Sequence, residues 1–418
     1  MTTIGIVAEY NPFHNGHKYQ IDTIKEKTGA DNIIIVMSGD FVQRGTPAWT
    51  DKYLRTMMAL KCGADIVFEL PVSLAVSSAE NFAMGAVSLL DGLGIVDGIC
   101  FGSECGDIEL LQNVANYLVN PPSSFDTGIE RLVKAGNSYP SARQQLLEKQ
   151  FKGMFTDYPD FFSSPNNILG IEYLKALKQL NSTIKPITIK RFGSNYHDIQ
   201  LSETSLSSAS AIRNQISSPD LLNTCYDNLP EEVISILNEN PDRYPVIEDD
   251  FSPLLYGKLM SEIYSGADIT HYQDVSEAIQ NRMKEKIDDY RTFSEFAALI
   301  KTRQYTYSRI SRSLLHILLN IENDNTNNQK ALYARILGFN KSKSNLLKAT
   351  DKKIPVITKV ADGEAIINEY YKDELNTCAQ ALKQFNQSIY AADLYRYVQN
   401  SKFGTNLQNE YRRGVIIV

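Results

Sequence analysis

The chain has 418 residues, 43% of them hydrophobic and 22% charged, and carries a net charge of -7. That length allows two or three domains with ample core, and that balance excludes a disordered or membrane-spanning chain. No apolar run approaches the ~20 residues of a bilayer crossing, and the N-terminus reads straight into a strand without a basic leader or cleavage site, so a cytoplasmic protein is expected.

In chain order, "TIGIVAEY" reads as a strand, followed by a helix from about His17 to Thr28. "NIIIVMSG" precedes a helix near Lys52–Cys62, "DIVFELP" one near Ala79–Leu90, and "VDGICFGS" one starting near Asp107. "SPNNILGIEYLKAL" is helical and "KPITIKRF" supplies a fifth strand. Near-continuous apolar strands spaced by such helices predict an α/β domain over residues 1–218, with a Rossmann-like parallel sheet covered on both faces. From residue 219 to 418 helical patterns dominate, among them "PEEVISILNE", "VSEAIQNRMKEKI" and "SRISRSLLHILLNI", and a mostly helical second domain is expected, with "KIPVITKV" as an isolated strand. The five cysteines (Cys62, Cys100, Cys105, Cys225, Cys378) are scattered and carry no CxxC or Cys/His cluster, so buried free thiols are expected rather than a metal or disulfide framework.

Chemistry concentrates in "NPFHNGH". Ligands of open parallel sheets bind beyond the carboxyl ends of the strands, and this stretch lies there, opening the first helix. Asn11-Pro12 stops the strand, and Gly16 removes a side chain where something must come close to the backbone. A helix N-terminus is a ready phosphate site, and His14 and His17, three apart, can face the same way. Two imidazoles aimed at a phosphate can donate hydrogen bonds, and the anion favours imidazolium. Further on, "SSASAIR" (Ser207 to Arg213) offers hydroxyls that cap a helix and an arginine, one turn in, that can clamp phosphates.

His14-Asn15-Gly16-His17 after a first strand resembles the H-x-G-H signature of the nucleotidyltransferase superfamily related to class I aminoacyl-tRNA synthetases. "SSASAIR" is similar to that group's second signature, I-S-S-T-x-I-R; Ser208, Ser210, Ile212 and Arg213 are kept, and Ala209 replaces a serine. More closely, "VAEYNPFHNGH", "VMSGDFVQRGTPA", "DIVFELPV", "FGSE", "SPNNILGIEYLKAL" and "IKTRQYTYSRISRSLLHILL", in that order along nearly the whole chain, resemble the tRNA(Met) cytidine acetate ligase family. The resemblance implies a sheet domain of the nucleotidyltransferase (HUP) type, and an enzyme that makes acetyl-adenylate from acetate and ATP and then acetylates N4 of the wobble cytidine of elongator tRNA(Met). It implies His14 and His17 as the catalytic pair. It further implies an ATP site of Val7, Ala8, Glu9, Tyr10, Asn11, Pro12, Phe13, His14, Asn15, Gly16, His17, Lys18, Tyr19 and Gln20, with Gly102, Asn166 and Arg191 as further contacts. Ser208, Ser210 and Arg213 would meet phosphate, and Ala209 leaves one hydroxyl contact in question.

Acetate needs no general base, being ionised at neutral pH, and Mg2+ is expected to arrive with the nucleotide rather than at a resident metal site. Asn166 could read the nucleoside or only cap its helix. Asp40, Gln43 and Arg44, in the loop after the second strand, could close over the nucleotide or meet RNA. His197 of "YHD" or Asp40 could serve as base for acetyl transfer. Between Lys301 and Lys353 eleven Lys/Arg face three acids, a local excess of eight inside an acidic protein. There Lys301, Arg303, Arg309 and Arg312, interleaved with Tyr305 and Tyr307, suit phosphate contact and base stacking, and a tRNA-binding surface is expected. An alternative is a small-metabolite nucleotidyltransferase that adenylylates a phosphorylated cofactor precursor. A non-catalytic RNA-binding or nucleotide-sensing protein is a third reading.

Overall fold

The computed structural model describes residues 1–191, 207–323, 329–348 and 353–418. Strand β2 (Asn32–Ser38) is buried along all seven residues. Ile34 and Val36 enter one core while Ile33 and Ile35 enter the other. Side chains alternate across a strand, so a β-branched run buried on both sides marks a central strand under two helical layers. Beside it runs β1 (Thr3–Ala8), followed in the chain by a short hairpin of β3 (Phe41–Val42) and β4 (Thr46–Pro47), then by β5 (Ile66–Leu70), β6 (Gly98–Ser103) and β7 (Lys185–Lys190).

The order β5-β2-β1-β6-β7 is parallel throughout. The chain therefore winds outward from β1 in both directions, which opens a crevice beyond the carboxyl end of β1, the usual ligand position in such sheets. The sheet does not stop there. β8 (Ala334–Phe339) lies antiparallel beside β5, and β9 (Val356–Ile357) and β10 (Ile416–Ile417) run parallel to β8. The division expected at residue 218 is thus corrected: three later strands complete the N-terminal sheet. "ARILGF" is six residues long, too short for periodicity to separate strand from helix. "KIPVITKV" does contain a strand, but one that pairs within the sheet.

The rest of residues 219–418 is mainly helical, with Ser252–Tyr264, Phe293–Ile300, Tyr307–Leu318 and the long Leu375–Phe403 prominent. Their apolar faces form a core that also takes in Phe41, Val72 and Val76 from the first part of the chain. Where the two parts meet, a charged cluster is sealed from water. Lys52 Nζ lies 2.8 Å from Glu69, 2.9 Å from Glu410 and 3.6 Å from Asp40, and Arg335 lies 2.9 Å from Glu69 and 2.5 Å from Glu410. The five cysteines are buried free thiols, and among the described residues no helix is long and apolar enough to cross a membrane.

Candidate active site

The helix Asn15–Thr28 begins where β1 ends, and His14 is its N-cap in extended conformation. Its Nδ1 accepts the backbone N–H of Gly16 at 3.1 Å, while Nδ1 of His17 accepts the backbone N–H of His14 at 3.2 Å. This is the reciprocal geometry of a capping box, made here with two imidazoles. A backbone N–H can only donate, so each Nδ1 must be unprotonated and each neutral ring carries its proton on Nε2. The rings stack at 3.7 Å between centroids, and His17 packs in turn against Tyr10 and Phe13.

Burial, with Arg191 and Arg213 nearby, pushes the pKa of His14 down to about 3; burial, His14 and Arg191 push that of His17 well below the ordinary range. The sequence suggested imidazolium. In the free protein the pair is instead two neutral Nε2–H donors, because protonating either ring would break its cap. The close approach provided by Gly16 is also local: a Cβ there would sit 2.9 Å from His14 Cε1, so the glycine makes room for the capping ring.

Both histidines line a cavity of about 200 Å³ at the crevice. Its floor is Val7, Ala8, Glu9, Tyr10 and Asn11, with Tyr10 in the left-handed region at φ 46°. On the β6–β7 side stand Gly102, Asn166 and Arg191. Gly102 makes room for the stem of Arg191, whose Cγ would be 3.1 Å from a Cβ. The carboxylate of Glu104 accepts the backbone N–H groups of Asn166 (3.2 Å) and Asn167 (2.7 Å) and so caps the helix Pro165–Gln179, while the Asn166 amide donates to Glu104 at 2.7 Å. Glu104 is therefore the cap; Asn166 is held by it at the cavity wall.

Ser208, Ala209, Ser210 and Arg213 close the top. Ser208 Oγ caps the helix Ala209–Gln215 by accepting the Ala211 N–H at 3.1 Å. Arg213 donates to the carbonyl of Asn11 at 2.6 Å and to Ser210 Oγ at 3.1 Å, so it ties this second motif to the histidine turn. Gln20 lines the cavity, and Gly16 and Tyr19 line a smaller one behind His17. Pro12, Phe13, Asn15 and Lys18 are absent from both walls. Phe13 packs against His17, Asn15 donates to the Asp227 carbonyl at 2.9 Å, and Lys18 pairs with Asp22 at 3.3 Å.

On the β2–β5 side the hairpin contributes Val42, Gln43, Arg44 and Thr46, opposite Phe82, Phe101, Leu169 and Tyr173. The sequence reading named only Gln43 and Arg44 of these. Spacing could have found two more, since Asn166, Leu169 and Tyr173 recur at helical intervals on one face. Asp40, offered as a base, is absent from the wall: its carboxylate accepts the Lys52 N–H at 2.8 Å inside the buried charge cluster. His197 lies outside the described residues. Among those described, no three His, Cys, Asp or Glu side chains gather as a metal site.

The basic segment divides. Lys301 and Arg303 are exposed, and Arg309 lies over the ring of Tyr305 at 5.1 Å. Arg312 is half-sequestered in an ion pair with Asp274 at 2.9 Å, and Arg335 belongs to the buried cluster. Part of the local charge excess is thus interior.

A family model described as HIGH Nucleotidyl Transferase matches residues 1–410. The tRNA(Met) cytidine acetate ligase of Acetivibrio thermocellus is 39% identical over the whole of both chains, and that of Clostridium tetani is 41% identical over 86% of this chain and 91% of its own. Two crystal structures of Thermotoga maritima TmcAL, each 30% identical with complete coverage of both chains, superpose on this one. The apo form gives a TM-score of 0.90 and the form bound with alpha-thio ATP gives 0.87.

Proposed function

The chain belongs to the HIGH nucleotidyl transferases and, within them, to the tRNA(Met) cytidine acetate ligases, and on that footing we propose that it joins acetate to ATP as acetyl-adenylate and then acetylates N4 of the wobble cytidine of elongator tRNA(Met). The observation that carries this reading is the pair of neutral Nε2–H donors, fixed by their caps, in a cavity also lined by Arg191 and Arg213. An acetate oxygen attacks the α-phosphorus, the bond to the β-phosphate oxygen breaks, and diphosphate departs. Charge builds on phosphate oxygens during that displacement, and donors already oriented stabilise it without reorganising. Neutral donors serve well here, because they hold their geometry at every pH of interest.

Val7, Ala8, Glu9, Tyr10, Asn11, Gln20, Gly102, Asn166 and Arg191 would surround the nucleotide. Ser210 and Arg213 would meet its phosphates, with Ser208 supporting them as a helix cap. Glu9 is the only acid on the wall among the described residues, too little for a resident metal, so Mg2+ would ride on the phosphates with most of its waters. The tRNA would lie along Lys301, Arg303 and Arg309, with Arg312 supporting the surface through Asp274. The test is twofold. Purified protein should exchange diphosphate into ATP only when acetate is present, and tRNA from a deletion strain should lose N4-acetylcytidine by mass spectrometry. Exchange independent of acetate, or unchanged nucleosides, would overturn the proposal.

A further inference from the structure

Acyl transfer to cytidine leaves a proton to be removed, and the cavity wall offers very few groups able to take it. The exocyclic amine is not basic, and after its nitrogen attacks the acetyl carbon it must lose one proton as the bond to AMP breaks. His14 and His17 are excluded: each Nδ1 already accepts a backbone N–H and each Nε2 carries hydrogen. The arginines stay charged. Burial and the neighbouring Glu9 raise the pKa of the Tyr173 hydroxyl far above neutrality. Asp40 faces Lys52 in the interior.

Among the described residues, Glu9 remains. A carboxylate in a site for a nucleotide and a second carboxylate is electrostatically costly, and its presence calls for a purpose. Its Oε1 accepts the backbone N–H of Gln43 at 2.8 Å, and among the described residues nothing donates to Oε2. It follows β1 and faces the hairpin, on the opposite side of β1 from Gly102 and Arg191. That hairpin is docked on the helix Tyr307–Leu318, with Ser311 Oγ donating to the Gly45 carbonyl at 2.7 Å. The basic helical region and Glu9 thus lie on the same side of the cavity.

Resting on the ligase reading above, we infer that Glu9 is the general base of the transfer step. It accepts a hydrogen bond from the cytidine N4 amine and takes its proton as the amine nitrogen bonds to the acetyl carbon. AMP leaves with the electron pair of the broken C–O bond, and the protonated carboxyl returns its proton to solvent. A carboxylate is also the side chain that reads the N4–H2 edge of cytosine.

Glu9→Gln keeps an oxygen acceptor for the Gln43 N–H but cannot take a proton. Because Glu9 also lines the nucleotide site, exchange is measured on the same variant, and single-turnover acetylation of unmodified tRNA transcript by the full chain, preloaded with ATP and acetate, should slow on the order of 100-fold more than acetate-dependent exchange does. The rise of transfer rate with pH in the unaltered protein should flatten in the variant, a change that lost packing alone would not cause. Glu9→Asp should recover part of the rate. Transfer at the unaltered rate overturns the assignment, as does equal loss of exchange and transfer, or a raised Mg2+ requirement for exchange, which would make Glu9 a ligand of the nucleotide's metal. Absence of acetate-dependent exchange in the unaltered protein is a separate result and would fail the ligase reading itself.

Discussion

The two sides of the cavity are held by different means. On the histidine side the two rings are set by contacts spanning two or three residues, His14 with Gly16 and His17 with His14, and Arg213 only fastens the finished turn to the second motif. The hairpin side is organised across the chain. Gly45 meets Ser311, 266 residues away, and beneath the hairpin Lys52 bridges Asp40 and Glu69 to Glu410 near the C-terminus. The first kind of order is written in a heptapeptide. The second exists only once residues from both ends of the chain have met, and it should break very differently.

The largest effect is expected in the long-range cluster. Glu410→Ala leaves Lys52 and Arg335 buried with Glu69 as their main counter-charge. Removing one partner of a buried network costs about 3–5 kcal/mol, and denaturant midpoints should report it as a loss of global stability. A midpoint shift within error would mean that the cluster takes up water and does not join the two ends of the chain.

The local side should lose chemistry while keeping the fold. His14→Asn retains a cap acceptor for Gly16 but removes the Nε2–H, so acetate-dependent exchange should fall about 100- to 1,000-fold, as for other preorganised donors. The melting temperature should stay near that of the unaltered protein. His14→Ala should lose activity equally and in addition about 1 kcal/mol of stability with the cap. Exchange by His14→Asn at the rate of the unaltered protein would remove His14 from the chemistry.

This contrast explains how far the chain could be read. The five parallel strands and the histidine turn were legible because their signals are local: apolar runs, helix spacing, and Asn-Pro and Gly at fixed offsets. The protonation state was not, since nothing in "HNGH" says that each Nδ1 would be occupied by a backbone N–H. The strands near residues 334 and 416 were hidden by brevity, and the one near 356 was legible as a strand but not as a member of the main sheet. Arg335 was counted with the basic segment, and nothing singled out Lys52 or Glu410 as charges of a buried cluster, because their partners lie hundreds of residues apart in some cases. Arg312 read as a cation for RNA because Asp274 is distant in sequence.

A smaller effect is expected at the seam where hairpin and helix touch. Gly45 has φ 83°, and a Cβ on it would stand 2.5 Å from the backbone nitrogen of Arg312. Gly45→Ala therefore brings both backbone strain and a clash with atoms that cannot swing away, about 2 kcal/mol together. Since Gln43 and Arg44 share this hairpin, the KM for acetate or tRNA should rise with the loss of stability. A variant that lost stability with both KM values unchanged would show that the docking supports the fold and leaves the cavity wall alone.

The smallest and most discriminating effect is in pH dependence within the cluster itself. Asp40, Glu69 and Glu410 face Lys52 and Arg335, one acid too many, and Asp40 is the acid farthest from Lys52 at 3.6 Å. Burial raises the Asp40 pKa to about 6, against the pull of Lys52 and with the push of Glu410, while the Arg55 guanidinium nearby is committed to the carbonyls of Glu9, Ser38, Gly39 and Thr50. A carboxyl held above its unfolded value of about 3.9 binds protons more tightly in the folded state. Its contribution is complete below pH 4 and fades as pH rises through 6. Glu410, held down to about 2 chiefly by Lys52 and Arg335 against its burial, works oppositely: its contribution is complete above about pH 4.5 and is lost as pH falls toward 2. Asp40→Asn keeps the acceptor for the Lys52 N–H and removes the Asp40 contribution alone, so its stability relative to the unaltered protein should climb by about 1–2 kcal/mol between pH 4 and 6 and be level above that. Unfolding midpoints measured across that interval decide it. A difference that stays flat, or that falls, would mean Asp40 is ionised throughout and that the cluster carries its extra negative charge into the interior.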